Sequence, residues 1–468
     1  MALGLDGAPL RRDDDQGALV GDVGGVAGAA PRSPAFARGV GAVSRRTISA
    51  DWVIPVSGPP IADGAVEIDE GGRISRVGPA AELGRGERFE GCAIVPGLVN
   101  AHSHLEYASY GGFGDGLSFG PWVSVHVQRK DRLDLDEMTD IARAGAAECL
   151  RSGVTTVGDA SYAGAAAVAC ADLGLRAIVY LEVFGAPDAI EQRFMPTRDR
   201  VASSFSERVR LGISPHAPYT TTMELYAACR ELGLPMATHL SESEDEAAYL
   251  RDGSGPWAGF ALLIPPLGTS GIRGLAERGL LDPRLVAAHC VTVDEEEIEI
   301  LRAHDVAVAH CPRSNAVLGC GTAPLRALAD AGVRVGIGTD SPNSAVSFDM
   351  FEEVRLALFG SRARERDATS LSPSAALELA TLGGARALGL EAEIGSLEPG
   401  KHADLAVVEL HETGFWPVED PAAAVVLAGS PGLVAATFVG GVERHRKGNS
   451  EWPDLRSRAR RARSRMLA

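Results

Sequence analysis

Between Ile94 and Asp340 the chain alternates between two textures. Eight short apolar runs recur: AIVPGLVN, VTTVGD, RAIVYLEVF, VRLGIS, LPMATH, RLVAAH, VAVAH and RVGIGTD. Most are separated by segments of helical composition, such as DEMTDIARAGAAECLRSG and TMELYAACRELG. Short continuous apolar runs read as strands buried on both faces. Such strands alternating with helices predict parallel β/α units. Eight units over this span predict one closed (β/α)8 barrel of the TIM type. A doubly wound open sheet is the alternative, but no G-x-G-x-x-G follows the first strand.

The flanks carry a different pattern. AVEIDEGGRISRVG alternates apolar and polar positions around Gly71-Gly72 and predicts a hairpin. Near the other end, ADLAVVEL, AAAVVLAG and VAATFVGG read as short strands broken by Gly and Pro. We expect residues 47–96 and 391–446 to form one small β-sandwich domain, split in sequence and joined in space around a barrel at 97–390. Residues 1–46, rich in Gly, Ala and Arg, predict a disordered extension. Residues 447–468 predict a basic C-terminal helix lying on the surface.

Composition narrows the function classes. Of 468 residues, 45 are Lys or Arg and 62 Asp or Glu, a net charge of −17. An acidic chain repels nucleic-acid backbone, so a nucleic-acid partner is not expected. No long uncharged apolar run predicts a membrane span. The seven cysteines include no C-x-x-C pair, and the N-terminus lacks a secretory layout, so a reducing, cytoplasmic setting is the expectation.

The candidate chemistry sits where the apolar runs end. His102 and His104 close the first run, His239 the fifth, His289 the sixth, His310 the seventh and Asp340 the eighth. In a barrel all strand C-termini meet at one mouth, so residues some 240 apart in sequence converge there. Side chains at i and i+2 of a strand share a face, so His102 and His104 can bind one ion. With His239 and Asp340 they make three neutral nitrogens and a carboxylate, a set that suits a divalent metal and leaves a position open. A metal at neutral pH makes hydroxide from water. Glu242, in THLSES, is placed to shuttle protons. Asp340 is candidate ligand and base, and His289 candidate holder of the water. Glu244, Asp245 and Glu246 read as a solvated helix face.

Together these segments, VPGLVNAHSHLE, SPHAPYT, THLSES, AHCV, HCPRSN, GTDSPNS and IGSLEPGKHADLAVVE, resemble the deaminase and chlorohydrolase branch of the amidohydrolase superfamily. The resemblance spans about residues 48–440. It implies that His102, His104, His239 and Asp340 bind the metal, that Glu242 is the proton shuttle and that His289 positions the hydroxide. It makes His216 a substrate contact, and zinc the expected ion, with iron or manganese as alternatives. The fourth run ends without a lysine, which favours one ion over two.

NAHSHLEYASYGGFGDG, with FGPW after it, is most similar to aminofutalosine deaminases. The substrate so implied is 6-amino-6-deoxyfutalosine, a purine nucleoside bearing a benzoate, on the route to menaquinone. Metal hydroxide would attack C6 and ammonia would leave. A carboxylate needs a cationic partner. Arg313 is the first candidate, with Arg129 and Lys130 in reserve; a solvent-facing or acid-paired Arg313 is the competing reading. Trp122 and Phe119 are candidates to cover the base, or simply pack their loop. Glu106 is a candidate for ribose hydroxyls, or for orienting a ligand histidine. Deaminases of guanine, methylthioadenosine or adenosylhomocysteine, and triazine chlorohydrolases, are the alternatives within the family. A non-catalytic scaffold is a remote alternative, since every expected ligand is present. A homodimer is compatible with all of these.

Overall fold

The computed structural model describes residues 44–260, 263–449 and 452–468; the expected extension at 1–46 lies almost wholly outside them. Fifteen strands are described: β1 (Arg46–Val53), β2 (Ile61–Ile68), β3 (Ile74–Pro79), β4 (Glu87–Pro96), β5 (Leu98–Ser103), β6 (Val154–Ser161), β7 (Arg176–Val183), β8 (Val209–Pro215), β9 (Met236–Leu240), β10 (Leu285–His289), β11 (Ala307–His310), β12 (Val335–Ile337), β13 (Leu405–Glu409), β14 (Val434–Val439) and β15 (Val442–Arg446).

Strands β5 to β12 pair in sequence order, every neighbour parallel. The barrel closes where the last unit returns to the first. Thr339 N and Asp340 N both donate to His102 O, at 3.0 and 2.9 Å. The Asn100 side chain grips Thr339, Nδ2 to Oγ1 at 2.8 Å and Oδ1 from the backbone N at 3.0 Å. Gly338 makes this seam feasible, because a Cβ there would meet His102 backbone at 2.9 Å. Buried strands and apolar helix faces form the main core. Capping boxes begin two outer helices, Asp134 with Glu137 and Asp294 with Glu297.

The chain ends build one mixed seven-stranded sheet, in the order β15-β14-β13-β4-β1-β2-β3, around its own cluster of Ile48, Ile68, Ile94, Leu405 and Phe438. The hairpin expected around Gly71-Gly72 joins β2 to β3. Gly72 is required there: its φ is +72°, and a Cβ would lie 2.1 Å from Gly440 O. A buried ion pair ties sheet to barrel, with Arg176 Nε 2.8 Å from Asp404 Oδ2 and Gly440 N donating to Asp404 Oδ1 at 2.6 Å.

The basic helix runs from Pro453 to Leu467 and packs on the Leu135–Arg151 helix through Leu455, Ala459, Ala462 and Met466. Arg465 meets Asp134 and Glu137, and Arg458 meets Asp140, so part of its charge is answered within the chain. No described helix is long and apolar enough to cross a membrane.

Candidate metal centre and active site

The strand-end residues meet at the mouth. One ligand atom from each of His102, His104, His239 and Asp340 lies within 4.8 Å of all the others, and all four side chains are buried. Asp340 Oδ1 is 3.5 Å from His102 Nε2 and 3.4 Å from His104 Nε2. His104 Nε2 and His239 Nε2 face each other at 3.3 Å. The backbone breaks sharply as it delivers two of the polar groups: φ is +76° at His289 and +59° at Asp340, the left-handed region that non-glycine residues seldom occupy.

Neighbours fix each group's orientation. His239 Nδ1 donates to His216 O at 2.9 Å, which leaves the Nε2 lone pair facing the cluster. Asp340 Oδ2 accepts from Ser314 Oγ at 2.6 Å and Ser344 Oγ at 2.7 Å, which leaves Oδ1 for the centre. His289 Nδ1 lies 2.9 Å from Asn315 Oδ1, so its Nε2 points into the mouth, 3.8 Å from Glu242 Oε1.

Electrostatics suit a cation. Burial lowers the pKa of His102 and His104, and takes His239 to about 4, so the imidazoles are neutral with free lone pairs. Burial works against the Asp340 carboxylate, but the His102 contact and the electrostatic influence of the neighbouring imidazoles hold its pKa well below the ordinary value. His102 Nε2 is buried without a hydrogen-bond partner. An orphaned nitrogen, two lone pairs face to face and an ionised carboxylate together fit one divalent ion. Burial, reinforced by Asp340, pushes Glu242 up to about 8, so its carboxyl keeps its proton near neutrality.

Two other acids behave otherwise than the sequence reading expects. Glu246 is no solvated helix residue; it is 1% exposed, and accepts from Ser241 N at 2.9 Å and Glu242 N at 2.7 Å. Glu106 is not open to ribose hydroxyls, nor turned to a histidine. Its carboxylate accepts from Ser161 Oγ and from the backbone N of Ala163 (2.9 Å) and Ala165 (2.8 Å), anchoring the start of the Ala165–Leu173 helix.

Arg313 also requires correction. It is buried, but faces the Met350–Glu365 helix: NH1 is 2.6 Å from Glu352, Nε 2.8 Å from Glu353, and NH1 donates to Ser347 Oγ at 3.0 Å. Its guanidinium is committed to the acids of that helix and to Ser347 on the loop after Asp340. Arg129 lies over the Phe113 ring, 3.8 Å from its centroid, and Arg463 lies over the same ring. Trp122 is half-buried and stacks on His126, with ring centroids 5.9 Å apart. The Phe119 side chain lies outside the described part of the structure.

His216 adjoins the centre, its ring 4.7 Å from His239, with Nδ1 on Thr220 Oγ1 at 2.8 Å. Beside it is a group the sequence reading passed over. Glu182, at the end of β7, is 4% exposed and clusters with His216 and His239. Burial raises its pKa to about 7. His126 is a second such group: it packs edge-on to Tyr107 with centroids 4.4 Å apart, and Nδ1 lies 2.9 Å from Asn343 Nδ2. Glu182 stands two residues before the end of RAIVYLEVF, so an acid near a strand end was the available signal.

Comparison with known proteins agrees with this geometry. Residues 93–444 match the profile of the Amidohydrolase family. The chain is 35% identical over 406 residues to a 5-methylthioadenosine/S-adenosylhomocysteine deaminase of Moorella thermoacetica, covering 83% of this chain and 91% of that protein. It is 31% identical over 397 residues to a 5'-deoxyadenosine deaminase of Methanothermobacter thermautotrophicus, covering 81% and 89%. A solved structure of an adenosine deaminase from Xanthomonas campestris with bound zinc superposes with a TM-score of 0.80 at 29% identity, covering 90% of this chain and 98% of that one.

Proposed function

Since this chain belongs to the amidohydrolase family, we propose that it is a hydrolytic deaminase of an adenine-type nucleoside, with 6-amino-6-deoxyfutalosine the favoured substrate and zinc the favoured ion. The observation that carries the deaminase reading is the His102–His104–His239–Asp340 cluster with the buried Glu242 carboxyl facing the same mouth, 3.8 Å from His289. Such a set suits addition of water to an amidine-like carbon and release of ammonia.

A divalent ion held by these four residues supplies Lewis acidity, which lowers the pKa of water from 15.7 to roughly 7. The rest falls to the chain's own groups. Glu242 gives its proton to ring nitrogen N1, which makes C6 electrophilic. His289, fixed by Asn315, holds the attacking oxygen at Nε2. Asp340 accepts that oxygen's proton on Oδ1, its other oxygen being occupied by Ser314 and Ser344. Proton transfer to the exocyclic nitrogen then breaks the C6–N bond, and ammonia leaves from a hypoxanthine product. His216 and Glu182 face the sugar, and Trp122 covers the base.

The benzoate-bearing substrate rests on the NAHSHLEYASYGGFGDG and FGPW segments. The identity to the Moorella thermoacetica protein favours a second reading, methylthioadenosine or adenosylhomocysteine as substrate. An ammonia-release screen of zinc-loaded protein decides between them. The panel is aminofutalosine, adenosine, methylthioadenosine, adenosylhomocysteine and guanine. Turnover of guanine alone refutes the nucleoside assignment.

A further inference from the structure

With Arg313 committed elsewhere, Lys130 is a cation near the mouth that makes no ion pair or hydrogen bond among the described residues, though its charge reaches Glu182. Lys130 ends the Phe119–Lys130 helix and is 8% exposed. Its Nζ sits 3.4 Å from the centroid of the Tyr162 ring. Among the described residues no carboxylate or hydrogen-bond acceptor is paired with that ammonium. A ring face is a weak substitute for the water and counter-ion that a buried ammonium gives up.

The surroundings show where Lys130 points. A wall of rings leads from the metal centre to it. His239 meets His216 at 4.7 Å, His216 meets Phe184 at 4.8 Å, and Phe184 meets Tyr162 at 6.3 Å. The charge of Lys130 depresses the pKa of both His126 and His216, so the ammonium shares their space. The other nearby cations are committed. Arg193 donates through Nε to Glu182 O and through NH2 to Tyr162 O, both at 2.8 Å, and braces the Tyr162 ring. Arg129, the adjacent residue on the helix, turns instead to Phe113.

Charge is thus graded along the wall. The base end is bordered by acids, Asp340 and Glu242, which would repel an anion there. Three rings further on stands a cation without an ion pair among the described residues, its field shared with Glu182, whose carboxyl it helps to hold down. A ligand that satisfies both ends is neutral where it meets the metal and anionic at its far tip.

We propose that Lys130 selects the substrate, its ammonium receiving a carboxylate borne on the sugar end of the nucleoside. The inference rests on the deaminase reading and sharpens it. It assigns the enzyme to adenine nucleosides whose sugar substituent ends in a carboxylate, and places unsubstituted adenosine and methylthioadenosine among its poor substrates.

The test compares Lys130→Met and Lys130→Arg with the unaltered enzyme, on aminofutalosine as the carboxylated substrate and adenosine as the neutral one. Unaltered enzyme should prefer aminofutalosine. Lys130→Met should raise its KM about ten- to a hundredfold, the worth of one charge-assisted hydrogen bond, with kcat within about twofold. Adenosine kinetics should not move. Lys130→Arg should recover part of the KM. If Lys130→Met is poorly folded, Lys130→Gln gives the same comparison. Calorimetry with the deaminated, carboxylated product should show the same loss of affinity without turnover. The proposal is overturned if KM rises equally for both substrates, if it moves for neither, or if unaltered enzyme does not discriminate between them. In those cases deamination itself still stands. Failure of the unaltered, zinc-loaded enzyme to release ammonia from any nucleoside overturns the deaminase reading instead.

Discussion

Replacing Arg313 with alanine should weaken the fold in a way that depends on pH. The guanidinium is buried between Glu353, which is wholly inaccessible, Glu352, and Ser347 on the loop after Asp340. Its removal strips the Ser347 Oγ and O of their donor and leaves a void. An unsatisfied buried polar group costs about 1–3 kcal/mol, so a loss of about 2–4 kcal/mol is expected at pH 7. The second effect acts through Glu353. Burial pushes that carboxyl up to about 8 from an ordinary 4.5, against the pull of Arg313. A carboxyl with a raised folded pKa contributes stability below its unfolded pKa and loses it as pH rises toward the folded one. Both proteins therefore lose stability from pH 4.5 upward. The unaltered protein stops losing near pH 8. The variant, lacking Arg313, has a still higher folded pKa and continues to lose stability. The gap between them should be flat below about pH 8 and widen above it by up to about 1.4 kcal/mol per pH unit. Urea unfolding followed by tryptophan fluorescence from pH 6 to 9.5 measures the gap. Adding Glu353→Gln to the variant should abolish the widening. A gap indifferent to pH up to 9.5 would refute the reasoning. So would a variant of full stability whose KM rises for carboxylated substrate alone.

Asp340→Ala should abolish stoichiometric zinc uptake, measured by elemental analysis, and with it turnover. Retained full-occupancy zinc would contradict the ligand assignment. Glu242→Gln should lower kcat by about 10²–10⁴ while zinc content stays at one per chain. Because Glu242 must be protonated to donate, kcat/KM of the unaltered enzyme should fall as pH rises through about 8, and a profile still rising at pH 9 would exclude Glu242 as the acid. Glu246→Gln keeps only one of two acceptors for the Ser241 and Glu242 amides. It should cost roughly tenfold or more in kcat, with KM and zinc content little changed, as steady-state kinetics would show.

The barrel was legible because its strands are short, apolar and regularly interrupted. The polar residues that end them, from His102 to Asp340, converge for topological reasons alone. Side-chain direction was less legible. Arg313 follows a strand end, as the ligands do, but its partners Glu352 and Glu353 lie 39 and 40 positions further on, on a helix whose docking no local pattern reveals. Glu246 sits in the acidic run Glu244-Asp245-Glu246 and reads as solvent-facing, yet the turn at Ser241 (φ +52°) points two amides at it. Glu106 shares a face with the ligands in an ideal strand. Here β5 ends at Ser103, and the backbone curls into a short turn that sends Glu106 sideways. Lys130 stood only in reserve and Glu182 went unweighed, because each matters only through what surrounds it.

The interleaved order β14-β13-β4-β1 has a consequence for synthesis on the ribosome. Strand β4 emerges early, but its second edge is covered only by β13, some 310 residues later. Throughout translation of the barrel, the Cys92–Pro96 edge waits with its amides and carbonyls open, a template for stray pairing between nascent chains. A message truncated before Leu405 would therefore yield a barrel tethered to an adhesive half-sheet, and such products should partition to chaperones and inclusion bodies rather than persist as partial enzymes.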